Sequence, residues 1–241
     1  MTPGLRKPTF AIEAADCGSV RIELAGLAAR LRPAGTLWLE DSRTLMAADL
    51  HLEKGSAFAR LGQLLPPYDT AETLARLARE VEAMNPARIV LLGDSFHDGG
   101  GEARLSDADA QRVVSLARGR SLVWVVGNHD ADGPRFLPGD VVEDVQIGAL
   151  FLRHEPLNGP RAEAAGHLHP AAKVASRGRS VRRRCFVTDG ERVVLPAFGA
   201  FAGGLNVRNI AFAGLFQRLP IAVTLGPQRA HAISWSNLVG D

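Results

Sequence analysis

Three short runs in this chain are wholly apolar and then end at small and polar residues: LMAA (45–48) before Asp49-Leu50-His51, IVLL (89–92) before Gly93-Asp94, and LVWVV (122–126) before Gly127-Asn128-His129-Asp130. A strand with one wet face alternates apolar and polar residues, whereas a continuously apolar one is covered on both faces. Runs this short, bounded by glycine or polar residues, read as buried strands rather than helices. The pattern constrains the fold to a layered α/β protein with a largely parallel sheet.

The intervening segments supply the covering layers. Leu74, Leu77 and Val81 fall at helical spacing between Tyr68 and Met84, with Pro86 behind them as a stop. SDADAQRVVSLARG opens with Ser106 and, three residues on, Asp109, a capping pattern, and closes at Gly119. Residues 36–50 read as a hairpin turning at Asp41-Ser42-Arg43. In the second half, hairpins are expected about Ile147-Gly148 and Asp189-Gly190. VRIEL, with Val20, Ile22 and Leu24 alternating, reads as an edge strand. Residues 55–67 carry no clean period and read as a long loop. Trp124 belongs to the core, and His231 reads as structural.

With 241 residues, 46% hydrophobic and 22% charged, the chain is too apolar for disorder. No repeat or linker divides it, so residues 1–241 are expected to form a single domain. No apolar run approaches the ~18 residues that span a bilayer, and the N-terminus lacks a signal-type apolar core. Cys17 and Cys185 match neither a disulfide framework nor a zinc ribbon. The expectation is a cytoplasmic protein without membrane contact. A net charge of +2 permits an anionic partner without requiring one.

Six of the seven histidines follow apolar runs or sit in one short motif: His51, His97, His129, His154, and His167 with His169 in GHLHP. Asp49, Asp94 and Asn128 stand beside them. In a parallel α/β sheet the carboxyl ends of the strands share one edge, where ligands bind, so residues distant in sequence converge there. Imidazole and carboxylate without thiolate suit Mn²⁺, Fe²⁺ or Zn²⁺ rather than a structural cysteine site or an all-oxygen calcium cage. The set is too large for one ion. Two ions sharing a carboxylate clamp the attacking and leaving oxygens of an in-line displacement at phosphorus.

Asp49-x-His51, Gly93-Asp94, Gly127-Asn128-His129-Asp130, His154 and Gly166-His167-x-His169, in that order, resemble the calcineurin-like metallophosphoesterase superfamily. The resemblance implies a four-layer αββα sandwich with the site at the upper edge of its sheets. It also implies Asp49, His51 and His169 on one divalent ion, Asn128, His154 and His167 on the other, and Asp94 bridging them. His129 is then a catalytic residue facing the scissile phosphate. HLEKG from His51, GDSFHD, HEP, GHLHP with its following basic strand, and PAFGAFAGGLN resemble the bacterial ligase-associated DNA damage response endonucleases. That likeness implies a manganese-dependent phosphodiesterase acting on DNA beside a DNA ligase and other repair proteins.

Other positions carry two readings. In phosphatase-like branches an Asp stands where GDSFHD has His97, so His97 reads as catalytic or phosphate-contacting, against simple packing. Asp98 and Asp130 read as loop caps or as partners of the ligands. Arg177, Arg179, Arg182, Arg183 and Arg184 form either a solvated strand or a phosphate-contacting strip; in a strand Arg182 and Arg184 share a face that Arg183 does not. PAFGAFAGGLNV reads as a tight crossing or a substrate-side loop. Against a DNA phosphodiesterase stand the same chemistry on a nucleotide or pyrophosphate-type small molecule, and a non-catalytic scaffold of the same fold.

Overall fold

The computed structural model describes residues 10–159, 161–176 and 178–241. Its first sheet holds, in spatial order, β1 (Ile12–Ala14), β2 (Val20–Leu24), β3 (Leu27–Leu31), β4 (Leu37–Leu39), β5 (Thr44–Ala48), β6 (Arg88–Leu92), β7 (Ser121–Val125) and β8 (Asp140–Val142). The first five strands are antiparallel neighbours, and β5 to β8 run parallel. Three α-helices lie among the described residues: α1 (Lys54–Arg60), α2 (Asp69–Met84) and α3 (Asp107–Ala117). Since α2 joins β5 to β6 and α3 joins β6 to β7, the ends of all three apolar strands meet at one edge.

The second sheet comprises β9 (Asp144–Ile147), β10 (Leu150–Arg153), β11 (Glu163–Ala165), β12 (Pro170–Ser176), β13 (Arg179–Thr188), β14 (Arg192–Val194), β15 (Leu205–Asn206), β16 (Ile221–Leu225), β17 (Ala230–Ser234) and β18 (Leu238–Val239). The chain crosses from one sheet to the other at Glu143, between β8 and β9. The expected hairpins are present, with Ile147 paired to Leu150 and Thr188 paired to Val193.

Continuous apolarity follows from where each residue points. Met46, Ala48, Val90, Leu92, Val123 and Val125 face the second sheet, where they meet Leu152, Phe186 and Val193. The alternating Leu45, Ala47, Ile89, Leu91, Leu122 and Trp124 face Leu74, Leu77 and Val81 of α2 and Val113 and Leu116 of α3. Burying each large aliphatic side chain contributes roughly 1.5–3 kcal/mol. The outer face of the second sheet carries Cys185, Val187 and Val194 under Phe212 and Leu215, in a segment with a 3₁₀ turn at Ile210–Phe212. The two sheets pack as in the expected αββα sandwich, with α2 and α3 as the outer layer on the first sheet and the segment around Phe212 and Leu215 as the outer layer on the second.

Two local expectations need correction. Residues 54–60 are helical rather than part of a loop; seven residues make too few turns to show a period, and tertiary bonds hold them. The Gly55 N–H donates to Asp69 Oδ2 at 3.0 Å and the Glu53 N–H to Thr70 Oγ1 at 2.8 Å. β2 is not an edge strand, because the three-residue β1, too short to show an alternation, pairs outside it. Ser106 caps α3 as expected, accepting from the Asp109 N–H at 3.1 Å. No helix among the described residues is long and apolar enough to cross a membrane.

Candidate metal centre

Each sequence-predicted ligand lies at the shared edge. Asp49 follows β5, Asp94 follows β6, Asn128 follows β7, His154 follows β10, and His167 and His169 lie between β11 and β12. Glycines let these loops approach closely. A Cβ on Gly127 would stand 2.2 Å from Asp94 Oδ1, and one on Gly166 would stand 2.6 Å from Asp49 Oδ2. Asp49, His51, Asp94, His167 and His169 all take the left-handed backbone conformation, with φ between 44° and 67°. Such conformations cost non-glycine residues of order 1–3 kcal/mol each and cluster at functional sites.

Two ligand groups emerge. In one, His51 Nε2 and His169 Nε2 face each other at 3.2 Å, and His169 Nε2 is 3.4 Å from Asp49 Oδ1. In the other, His154 Nε2 lies 2.9 Å from Asn128 Oδ1, 3.1 Å from His167 Nδ1 and 3.4 Å from Asp94 Oδ2. Asp49 Oδ1 also lies 3.7 Å from His154 Nδ1, which brings the groups side by side. Asp49, His51, Asp94 and His154 are buried, while Asn128 and His129 stand exposed at the rim.

The donor chemistry fits divalent cations. His154 Nδ1 lies 3.3 Å from the Leu92 carbonyl, which only accepts, so Nδ1 is the donor there and Nε2 is the atom turned to the site. Nε2 faces the carboxylate of Asp94 at 3.4 Å and is 2.9 Å from Asn128 Oδ1. A ring nitrogen, an amide oxygen and a carboxylate gathered at such distances form a donor set for a divalent cation. Burial first, then the nearby His169, pushes the His51 pKa down to about 2, leaving a neutral ring available as a ligand. The Asp49 carboxylate is held in place by the His167 N–H, which donates to both of its oxygens at 3.0 and 3.1 Å.

His129 stands beside these groups. Its N–H donates to Asp94 Oδ1 at 2.9 Å, and its Nδ1 donates to the His97 carbonyl at 2.7 Å. The ring's other nitrogen, Nε2, is therefore the one turned to the site, 4.0 Å from Asp94 Oδ2. The His97 ring lies alongside, with centroids 5.5 Å apart, and burial lowers its pKa. His51, His97 and His129 can themselves converge on one point.

Asp130 accepts from the N–H groups of Phe96 and Gly127 at 3.1 and 3.0 Å and so ties two ligand loops together; burial pushes its pKa up to about 6. Asp98 pairs with Arg104 at 2.8 Å. His231 lies on β17, paired with Thr224, away from the centre.

Lys54, within the HLEKG motif, also borders the centre, and no feature of the sequence points to a role for it. Its ammonium donates to the Phe201 carbonyl at 3.1 Å, and its charge lowers the pKa of both His51 and His97. Residues 197–199 make the tight crossing: the Phe198 and Gly199 N–H groups donate to the carbonyls of Ala48 and Asp49 at 2.8 and 3.1 Å.

A family model described as calcineurin-like phosphoesterase matches residues 42–180. The crystal structure of Pseudomonas putida nuclease MPE is 27% identical, with 89% of this chain and 100% of that chain covered and a TM-score of 0.69. Yfce, a phosphoesterase from E. coli, is 15% identical, with 79% of this chain and 98% of that chain covered and a TM-score of 0.40. Comparison with curated proteins gives no match.

Proposed function

Because the chain belongs to the calcineurin-like phosphoesterase family, and is thus a metal-dependent phosphoester hydrolase, we propose that it is a dinuclear phosphodiesterase that cuts DNA. Asp49, His51 and His169 would hold one ion, Asn128, His154 and His167 the second, and Asp94 would be shared between them. Bound divalent cations supply Lewis-acid neutralisation of phosphoryl charge and an activated water nucleophile.

The chain's own part is positioning and proton transfer. The His97 carbonyl fixes the His129 tautomer, so Nε2 is the atom that hydrogen-bonds a phosphoryl oxygen or protonates the leaving alkoxide. The His97 ring and the Lys54 ammonium border the same space and contact the phosphate. Manganese is the proposed ion, and repair alongside a DNA ligase in the cytoplasm is the proposed setting.

The observation that carries the reading is the convergence of two ligand groups beside a rim-exposed histidine, in a chain 27% identical to a nuclease over nearly its whole length. The test is a panel of Mn²⁺, Fe²⁺ and Zn²⁺ with bis-p-nitrophenyl phosphate, p-nitrophenyl phosphate, and then single-stranded and nicked DNA. Diester and DNA cleavage with Mn²⁺ is expected. Preference for the monoester, or diester cleavage without DNA cleavage, would favour a small-molecule substrate; no turnover with any ion would favour a scaffold.

A further inference from the structure

A second cationic site lies away from the candidate ligands. A cleft of about 710 Å³ opens between α2, β13 and the β16–β17 turn, lined by Arg32, Arg76, Arg79, Arg182, Arg183 and Arg184 against a single carboxylate, Glu80. That carboxylate is already engaged: it accepts from Nε and Nη2 of Arg32 and from the Thr36 hydroxyl. Arg182 leans on Asp241 at 3.5 Å. Among the described residues, no carboxylate forms an ion pair with Arg76, Arg79, Arg183 or Arg184.

Arg76 is the most telling member. Its Nε and Nη2 are buried without a hydrogen-bond partner among the described residues, and its guanidinium lies 4.4 Å from the centre of the Phe198 ring. Burial, then the charge of Arg184, brings its pKa down to about 10. Glu72, one turn earlier on α2, attracts both guanidiniums only from beyond ion-pair distance. Buried donors normally find acceptors, and like charges gathered without counter-charge destabilise a fold. Those two donors are closed to solvent, so what the cleft offers an oxyanion is the charge of the Arg76 guanidinium beside the exposed side chains of Arg79 and Arg183.

The cleft is joined to the metal centre through one segment. Arg184 donates to the Ala197 carbonyl at 2.7 Å, while the Gly199 N–H, two residues on, donates to the carbonyl of Asp49. We propose that this cleft is a phosphate-binding site separate from the metal centre, gripping either a backbone phosphate of a nucleic-acid strand lying across it or free inorganic phosphate. The first alternative rests on the reading of the enzyme as a DNA phosphodiesterase; the second does not.

The test uses the full chain loaded with Mn²⁺ and two variants. Arg79→Ala/Arg183→Ala removes two exposed side chains that make no ion pair among the described residues, and Arg76→Gln removes the part-buried charge. Three readouts are compared with the parent. Turnover of bis-p-nitrophenyl phosphate, too small to reach both sites, is expected within about twofold.

Binding of a labelled single-stranded oligonucleotide, measured by anisotropy with His129→Ala added throughout to prevent cutting, is expected to weaken about tenfold. Its dependence of log K on log salt should flatten by about 0.7 for each phosphate that the variant no longer neutralises. Inorganic phosphate should raise the melting temperature of the parent more than that of either variant. If the parent binds no oligonucleotide, the DNA reading fails and the phosphate readout alone decides the site. Oligonucleotide binding and phosphate response both unchanged in the two variants would overturn the proposal, as would a folded double variant that has lost turnover of the small diester.

Discussion

His154 and Asn128 bring Nε2 and Oδ1 to 2.9 Å, while the Leu92 carbonyl, 3.3 Å from Nδ1, fixes which ring nitrogen faces the site. A cation held between a ring nitrogen and an amide oxygen binds the folded chain and not the unfolded one, and so stabilises the fold. Mn²⁺ should therefore raise the melting temperature, by an amount corresponding to about 2.7 kcal/mol at 100 times Kd. In His154→Ala and Asn128→Ala the increment should shrink markedly. Differential scanning fluorimetry with and without chelator checks this, and a parent indifferent to Mn²⁺ would count against the centre.

On the proposed mechanism His129 acts on the substrate rather than on a cation, so its loss should separate turnover from metal content. His129→Ala is expected to lower kcat by roughly 10²- to 10⁴-fold with bound metal unchanged. Asp94→Asn should lose metal and turnover together, since Asp94 Oδ2 lies among the ligand nitrogens. Metal analysis and steady-state rates on both variants distinguish the roles; an Asp94→Asn protein with full metal and full rate would remove it from the centre.

The residues legible in the sequence were those whose chemistry is carried by side chains at strand ends. Asp49, Asp94 and Asn128 follow apolar runs, and a parallel sheet places such ends together. What orients the His154 and His129 rings was not legible, because the Leu92 and His97 carbonyls are backbone groups that any residue supplies. Helix α1 was missed because its buried positions, Gly55 and Ala57, are small and set no apolar period. The basic cleft was only half visible: the arginine run on β13 stood out, but nothing local in the sequence marks Arg76 and Arg79 on α2, and Phe198, which lies beneath Arg76, is distant in the chain. Arg177, counted in that run, lies outside the described residues.

Gly127 is required for space rather than for backbone freedom. An alanine methyl there would fall 2.2 Å from Asp94 Oδ1 and 2.3 Å from Asp94 N, well inside contact distance. Gly127→Ala must push the Asp94 loop aside, and outer changes of this kind typically cost 10- to 100-fold in metal affinity or activity. Gly119→Ala, where a Cβ meets nothing within 4 Å, is the matched control and should leave metal affinity unchanged despite the strain of its φ of 73°. Mn²⁺ titration of both variants checks the contrast, and equal affinities would show that the loop yields freely.

Far from the centre, Glu40 on the first sheet sets a pH dependence of stability. Hydrogen bonds from Arg21, at 2.7 and 2.9 Å, and from Arg30, at 2.9 Å, hold its pKa down to about 2 against an ordinary 4.5. A carboxylate whose pKa is lower folded than unfolded adds stability above the unfolded value and loses it as pH falls toward the folded one. The contribution should be constant near neutrality and fade from about pH 5 downward. Glu40→Gln removes it, so the gap in urea midpoint between parent and variant should be widest at pH 7 and narrow steadily toward pH 3. Because all other titrating groups are common to both proteins, they cancel in the difference. The gap should also shrink in high salt, since Arg21 is half-exposed and its charge is screened. A gap that stays constant or widens on acidification would mean that the two arginines do not hold the carboxylate as the structure places them.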